Sequence, residues 1–295
     1  MPVIMKNFNR GANAQDSPLG VRDFSPIGIF DSGYGGLTIL NEIRKELPEY
    51  DYLYLGDNAR TPYGTRSYEA VYKFTLQCVE YLFRQGCHLV ILACNTASAK
   101  ALRTIQQNDL PKIDPTKRVL GVIRPTAEEV GKLTRTNHIG LFGTEGTVKS
   151  NSYPLEIQKF FPAISVVSES CPMWVPLIEN NEHLDAGADF FVKKHTNNLM
   201  NADEDIDAVI LGCTHYPLLK EKIESQLPEK VKVISQGEIV AKSLAGYLHR
   251  HPEMDRKCSK NGTTKYLTTE STGKFSSSAS IFLAEEIEAE HVEVE

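Results

Sequence analysis

Two short stretches of this 295-residue chain share one design, and that repetition limits the folds open to it. Ala208-Val209-Ile210-Leu211 is an unbroken apolar run closed by Gly212 and followed by Cys213-Thr214-His215-Tyr216-Pro217. Such a run marks a strand buried on both faces, and Pro217 suits the first turn of a helix. Leu89-Val90-Ile91-Leu92-Ala93 likewise runs into Cys94-Asn95-Thr96-Ala97, where Asn95 or Thr96 is placed to cap the helix that Ala99, Ala101 and Leu102 continue. Two thiols at two matching strand ends imply one site with two arms.

The remaining pattern alternates strands and helices. Ile27-Gly28-Ile29-Phe30 is a strand, and Asp31-Ser32-Gly33-Tyr34-Gly35-Gly36 is a turn opening a helix with Leu37, Leu40 and Ile43 on one face. Its glycines do not make a dinucleotide fingerprint, because Thr38 stands where the third glycine belongs. Tyr52 to Leu55 is the next strand, ending in Gly56-Asp57-Asn58 and the turn Thr61-Pro62-Tyr63-Gly64; Tyr68 to Phe83 is an amphipathic helix. Further strands are expected at Val119 to Ile123, Ile139 to Phe142 and Ile164 to Val167. This order predicts an α/β protein with mainly parallel sheets, whose ligands lie beyond the carboxyl ends of the strands.

A coarse repeat divides the chain. Ile27-Gly28-Ile29-Phe30-Asp31-Ser32-Gly33 resembles Ile139-Gly140-Leu141-Phe142-Gly143-Thr144, and each precedes one strand-cysteine unit. Two pseudo-symmetric doubly wound domains follow, with the site in the cleft between them. Residues 1–24 form a flexible extension, 25–118 with 235–295 the first domain, and 119–234 the second. The acidic C-terminal end reads as a solvated face or tail.

Charge and cysteine usage narrow the function. The balance of 32 basic against 38 acidic residues, with no basic cluster, argues against nucleic acid or an acidic membrane as partner. No apolar run approaches the roughly 20 residues of a membrane span, and Met1 to Asn9 lacks a signal-peptide core, so a cytoplasmic location is expected. Six cysteines without a Cys-x-x-Cys pair point to reduced thiols; Cys78, Cys87, Cys171 and Cys258 are assigned to packing or surface.

A thiol with an ordinary pKa of about 8.5 is mostly protonated at neutral pH, and a helix N-terminus lowers that value. Both Cys94 and Cys213 are expected to feel such a field. Cysteines on opposite sides of one carbon could exchange its proton from two faces and so invert a stereocentre. Two thiolates beside an anionic substrate would repel, which requires one thiolate and one thiol per turnover. For the same reason Asp31 is a poor electrostatic activator of Cys94, although it could orient the thiol or accept its proton. His215 could serve Cys213 or be structural. Asp57, Asn58, Tyr63 and Gly64 fit either loop function or plain turn chemistry. Cys94, Cys213 and His215 could be three zinc ligands, but no fourth stands at a recognisable spacing, so no metal is expected.

The strings Phe30-Asp31-Ser32-Gly33-x-Gly35-Gly36, Gly56-Asp57 with Pro62-Tyr63-Gly64, Ala93-Cys94-Asn95-Thr96-Ala97 and Gly212-Cys213-Thr214-His215-Tyr216-Pro217 together resemble the glutamate racemases of the cofactor-independent aspartate/glutamate racemase superfamily. The resemblance implies interconversion of L- and D-glutamate without cofactor or metal, supplying D-glutamate for cell-wall peptidoglycan. It also implies a homodimer. Cys94 would take the proton from D-glutamate and Cys213 from L-glutamate, assisted by Asp31 and His215. Asp31, Ser32, Tyr63, Gly64, Asn95, Thr96, Thr214 and His215 would contact substrate, and Glu179 would be an auxiliary carboxylate near the second cysteine. Arg124, Thr126 and Met173-Trp174 depart from the expected pattern. An aspartate racemase is the nearest rival, but its first motif usually reads Gly-Gly-Met-Gly where this chain has Asp31-Ser32-Gly33. A superfamily isomerase or decarboxylase typically replaces one of the two cysteines, and a non-catalytic binding role would not need both.

Overall fold

The computed structural model describes residues 25–295; the flexible extension expected at 1–24 lies outside them. Among the described residues ten strands make two wholly parallel sheets. The first holds β1 (Ile27–Asp31), β2 (Tyr52–Gly56), β3 (Leu89–Leu92), β4 (Arg118–Gly121), β9 (Thr264–Thr268) and β10 (Ala289–His291), in the order β10-β9-β2-β1-β3-β4. The second holds β5 (His138–Gly143), β6 (Ser165–Ser170), β7 (Ala208–Gly212) and β8 (Lys232–Ile234), in the order β6-β5-β7-β8. The central strands β1, β2, β3 and β7 are buried along their whole length, as continuous apolar runs in helix-covered parallel sheets should be.

Register brings the site residues together. In the first sheet Phe30 pairs with Leu55 and Leu92, so Asp31-Ser32, Asp57 and Cys94 emerge at one edge. In the second, Gly143 pairs with Gly212, which places Thr144 beside Cys213. The helix Gly36–Glu46 buries the expected Leu37, Leu40 and Ile43; Tyr68–Arg84 buries Val71, Thr75, Val79 and Leu82, but Tyr68, expected on the same core face, is exposed because it opens the helix at the surface.

The run Val119 to Ile123 is not all strand. β4 stops at Gly121, and Ile123–Val130 is helical with Pro125 in its first turn, where the missing N–H breaks no helical bond. β4 pairs with β3 through Gly121 and therefore belongs to the first sheet, three residues past the boundary expected at 118. β9 and β10 also join that sheet after the second is complete. The acidic end thus supplies edge strand β10, whose exposed Glu290 and His291 discourage further pairing.

Candidate active site

Cys94 is positioned by the turn out of β3. It occupies the N-cap of the helix Asn95–Lys100, and its own Sγ accepts the Ala97 N–H at 3.4 Å. Neither Asn95 nor Thr96 serves as the cap. Ser32, at the end of β1, lies 3.4 Å from the same sulfur through Oγ. Burial, and then the charge of Asp31, push the Cys94 thiol up to about 12. The lowering expected from the helix terminus is outweighed, because desolvation and a buried carboxylate both oppose the thiolate.

Asp31 is itself buried, which raises its carboxyl above the ordinary range although His215 pulls the other way. Its Oδ2 accepts the Gly33 N–H at 2.9 Å, and its Oδ1 has no hydrogen-bond partner among the described residues. A buried carboxylate oxygen without a donor is a proton acceptor held ready.

The second arm differs. Cys213 follows β7, but the element beyond it is a four-residue 3-10 turn, Tyr216–Leu219, rather than an α-helix with a developed dipole. His215 faces the sulfur instead, with Nδ1 3.8 Å from Sγ and Nε2 3.0 Å from Glu179 Oε1. Burial alone would lower the imidazole, yet its bonds to Cys213 and Glu179 dominate and raise it to about 10. A protonated imidazole in this position donates from both ring nitrogens, to the sulfur and to the carboxylate. The turn Gly33-Tyr34-Gly35 closes over this pair: a Cβ on Gly35 would collide with His215 Nδ1.

One cavity of about 100 Å³ joins the arms. Ser32, Tyr63, Gly64, Cys94, Asn95, Thr96, Cys213, Thr214 and His215 line it, while Asp31 and Glu179 stand behind. Tyr63 does not offer its hydroxyl to the cavity, since that group donates to Asp57. Asp57 is fully buried and also accepts from Arg60 Nε at 2.7 Å and Thr269 Oγ1 at 3.0 Å, so it anchors the loop.

The cavity wall also contains residues that the sequence reading passed over. Thr144 meets Thr96 across the cleft, Oγ1 to Oγ1 at 2.9 Å, and the repeat ending at Thr144 was the available signal. Cys171, assigned to packing, lines the same wall with Pro172 and Val175. Of the departures from the family pattern, Trp174 is buried against Phe142 and Tyr216, and Arg124 is exposed beside Glu128. Among the described residues, the one group of metal-ligand atoms within 4.8 Å is His138, Asp203 and Asp205, and His138 opens β5 at the opposite edge of the second sheet.

Residues 37–244 match the family model described as Asp/Glu/Hydantoin racemase. A glutamate racemase of Ruegeria sp. (strain TM1040) is 41% identical over 271 residues, covering 88% of this chain and 97% of its own length. One from Geobacter metallireducens is 40% identical over 245 residues, covering 83% and 87%. Among solved structures, the chain resembles a glutamate racemase from Francisella tularensis in complex with D-glutamate, with TM-score 0.81, 35% identity and coverage of 92% and 98%.

Proposed function

We propose a two-base mechanism from this premise: the chain belongs to the Asp/Glu/Hydantoin racemase family and is an isomerase that racemises glutamate. The observation that carries the mechanism is the single cavity lined by both sulfurs, each backed by its own ionisable partner. From L-glutamate, Cys213 removes the α-proton while the His215 imidazolium, steadied by Glu179, balances negative charge on its sulfur. Cys94, held as the neutral thiol, returns a proton to the opposite face. From D-glutamate the roles reverse: Asp31 Oδ1 takes the Cys94 proton so that this sulfur can act as base, and the His215 imidazolium gives its Nδ1 proton to Cys213, which passes it to the opposite face of the carbon.

Proton transfer by a placed group contributes about 10² to 10⁴ in rate, so charge developing on the substrate must also be absorbed. Hydroxyls of Ser32, Thr96 and Thr214, the Asn95 amide and the Tyr63-Gly64 backbone serve the two carboxylates. No cofactor or metal takes part in this scheme.

The same reading places the enzyme in the cytoplasm as a homodimer that supplies D-glutamate for peptidoglycan. All six cysteines are unpaired, as suits a reducing compartment, and exposed Leu184 and Phe190 offer an apolar face to a second copy. The test is a chirality assay on either glutamate enantiomer without added cofactor, with L-aspartate as control. Approach to a racemate with glutamate alone is expected; a folded sample that leaves both enantiomers unchanged would refute the reading.

A further inference from the structure

Four buried side chains that the proton transfer does not use tie both crossovers to the cavity. Gln236 lies on the return crossover between β8 and the helix Gly237–Arg250. The two N–H groups of its Nε2 are shared among three acceptors, the Val122 carbonyl at 3.3 Å and Thr126 Oγ1 at 2.9 Å, both in the segment 122–126 that leads out of β4, and the Tyr153 hydroxyl. Its Oε1 accepts from Asn95 Nδ2 at 2.8 Å, and Tyr153, on the second lobe's helix Ser152–Phe160, donates to Asn95 Oδ1. None of Asn95, Thr126, Tyr153 and Gln236 is more than 2% exposed.

Donor and acceptor chemistry makes this arrangement one-way. The Val122 carbonyl only accepts, so Gln236 must turn its NH₂ toward it and its Oε1 toward Asn95. Asn95 then has to present Nδ2 to Gln236 and Oδ1 to Tyr153; flipping its amide would set oxygen against oxygen at Gln236 and leave the tyrosine O–H without its acceptor. One Nδ2–H remains, on a residue that lines the cavity.

We infer that Gln236 and Tyr153 are positioning residues for substrate binding, fixing the Asn95 amide so that its remaining N–H donates to a carboxylate of glutamate. The orientation of a donor in the cleft is thereby set by a backbone carbonyl in the crossover. This rests on the reading that Asn95 contacts substrate.

Steady-state kinetics of Tyr153→Phe with both enantiomers test it. KM is expected to rise about tenfold for each with a smaller change in kcat, a fold-change within the range of one hydrogen bond to a charged group. In an Asn95→Ala background the same substitution should change KM by less than about twofold, because the amide it orients is gone. Should Asn95→Ala fail to fold, Gln236→Leu replaces it, and its KM effect and that of Tyr153→Phe should not add. An unchanged KM with a lowered melting temperature would mean a structural role and overturn the inference, as would additive effects in either pair. Loss of racemisation in the unsubstituted protein would instead overturn the functional reading beneath it.

Discussion

Cys94 and Cys213 stand at equivalent edges of two parallel sheets, yet their surroundings carry opposite charge. Cys94 has a buried carboxylate beside it and caps a helix with its own sulfur. Cys213 has His215, whose pKa is raised by its bonds to Cys213 and Glu179 and whose ring is braced by Glu179. A symmetric reaction is thus served by two unlike half-sites: one favours the neutral thiol, and the other sets a cation against the sulfur. In the two-base scheme proposed above, that difference provides one proton donor and one base without two thiolates beside a substrate that carries two carboxylates.

The comparison breaks first at the sulfurs. Cys94→Ser and Cys213→Ser should each lower racemisation by about 10³-fold or more in both directions, since a hydroxyl is a far weaker base than a thiolate. Circular dichroism should show the fold retained, and near-normal turnover in either variant would end the two-base assignment.

Exchanging the unlike partners comes next. Asp31→Asn and His215→Gln should each cost about 10² to 10³ in kcat/KM. Enantiomers have equal free energy, so kcat/KM must stay equal in the two directions for every variant. Asymmetry can appear only in kcat and KM separately and in isotope effects. Asp31→Asn should enlarge the α-deuterium effect from D-glutamate, where Cys94 is the base, and His215→Gln that from L-glutamate. The same enlargement on both sides would dissolve the distinction between the arms.

A smaller effect sharpens the charge assignment. The folded His215 lies near 10 against an ordinary 6.5, so its stabilising contribution is full below about pH 6.5 and is lost as pH rises through about 10. Denaturant unfolding should show the gap between wild type and His215→Gln closing over that window; a gap constant with pH would contradict a charged imidazole. Least affected should be Tyr63→Phe. It removes one of several donors to Asp57 and should lower stability by about 1 kcal/mol while KM changes little, because the tyrosine hydroxyl points away from the cavity.

The sequence made the scaffold readable where burial dictates composition. β1, β3 and β7 are covered on both faces and so appear as apolar runs, and the cysteines that follow β3 and β7 are legible from the sequence. It misled at Val122-Ile123, which continue an apolar run although the strand has ended, because apolar periodicity cannot separate a buried strand from a buried helix start. The thiol's titration was unreadable for another reason. A helix terminus is local, whereas desolvation and the field of Asp31 arise only when residues 63 positions apart are packed together. Glu179 and His215, separated by 36 positions, show the same limit. Sequence marks Asn95 as a cap candidate and a substrate contact, whereas its bonds to Tyr153 and Gln236 join residues 58 and 141 positions away and exist only in three dimensions.

The most direct measurement follows the α-hydrogen itself. L-glutamate is incubated with the enzyme in deuterium oxide and both enantiomers are recovered at low conversion. Two sulfurs acting from opposite faces predict D-glutamate bearing solvent deuterium while the remaining L-glutamate is still protiated. D-glutamate that retains the original hydrogen would mean a single group shuttling the proton from face to face, and would contradict the account.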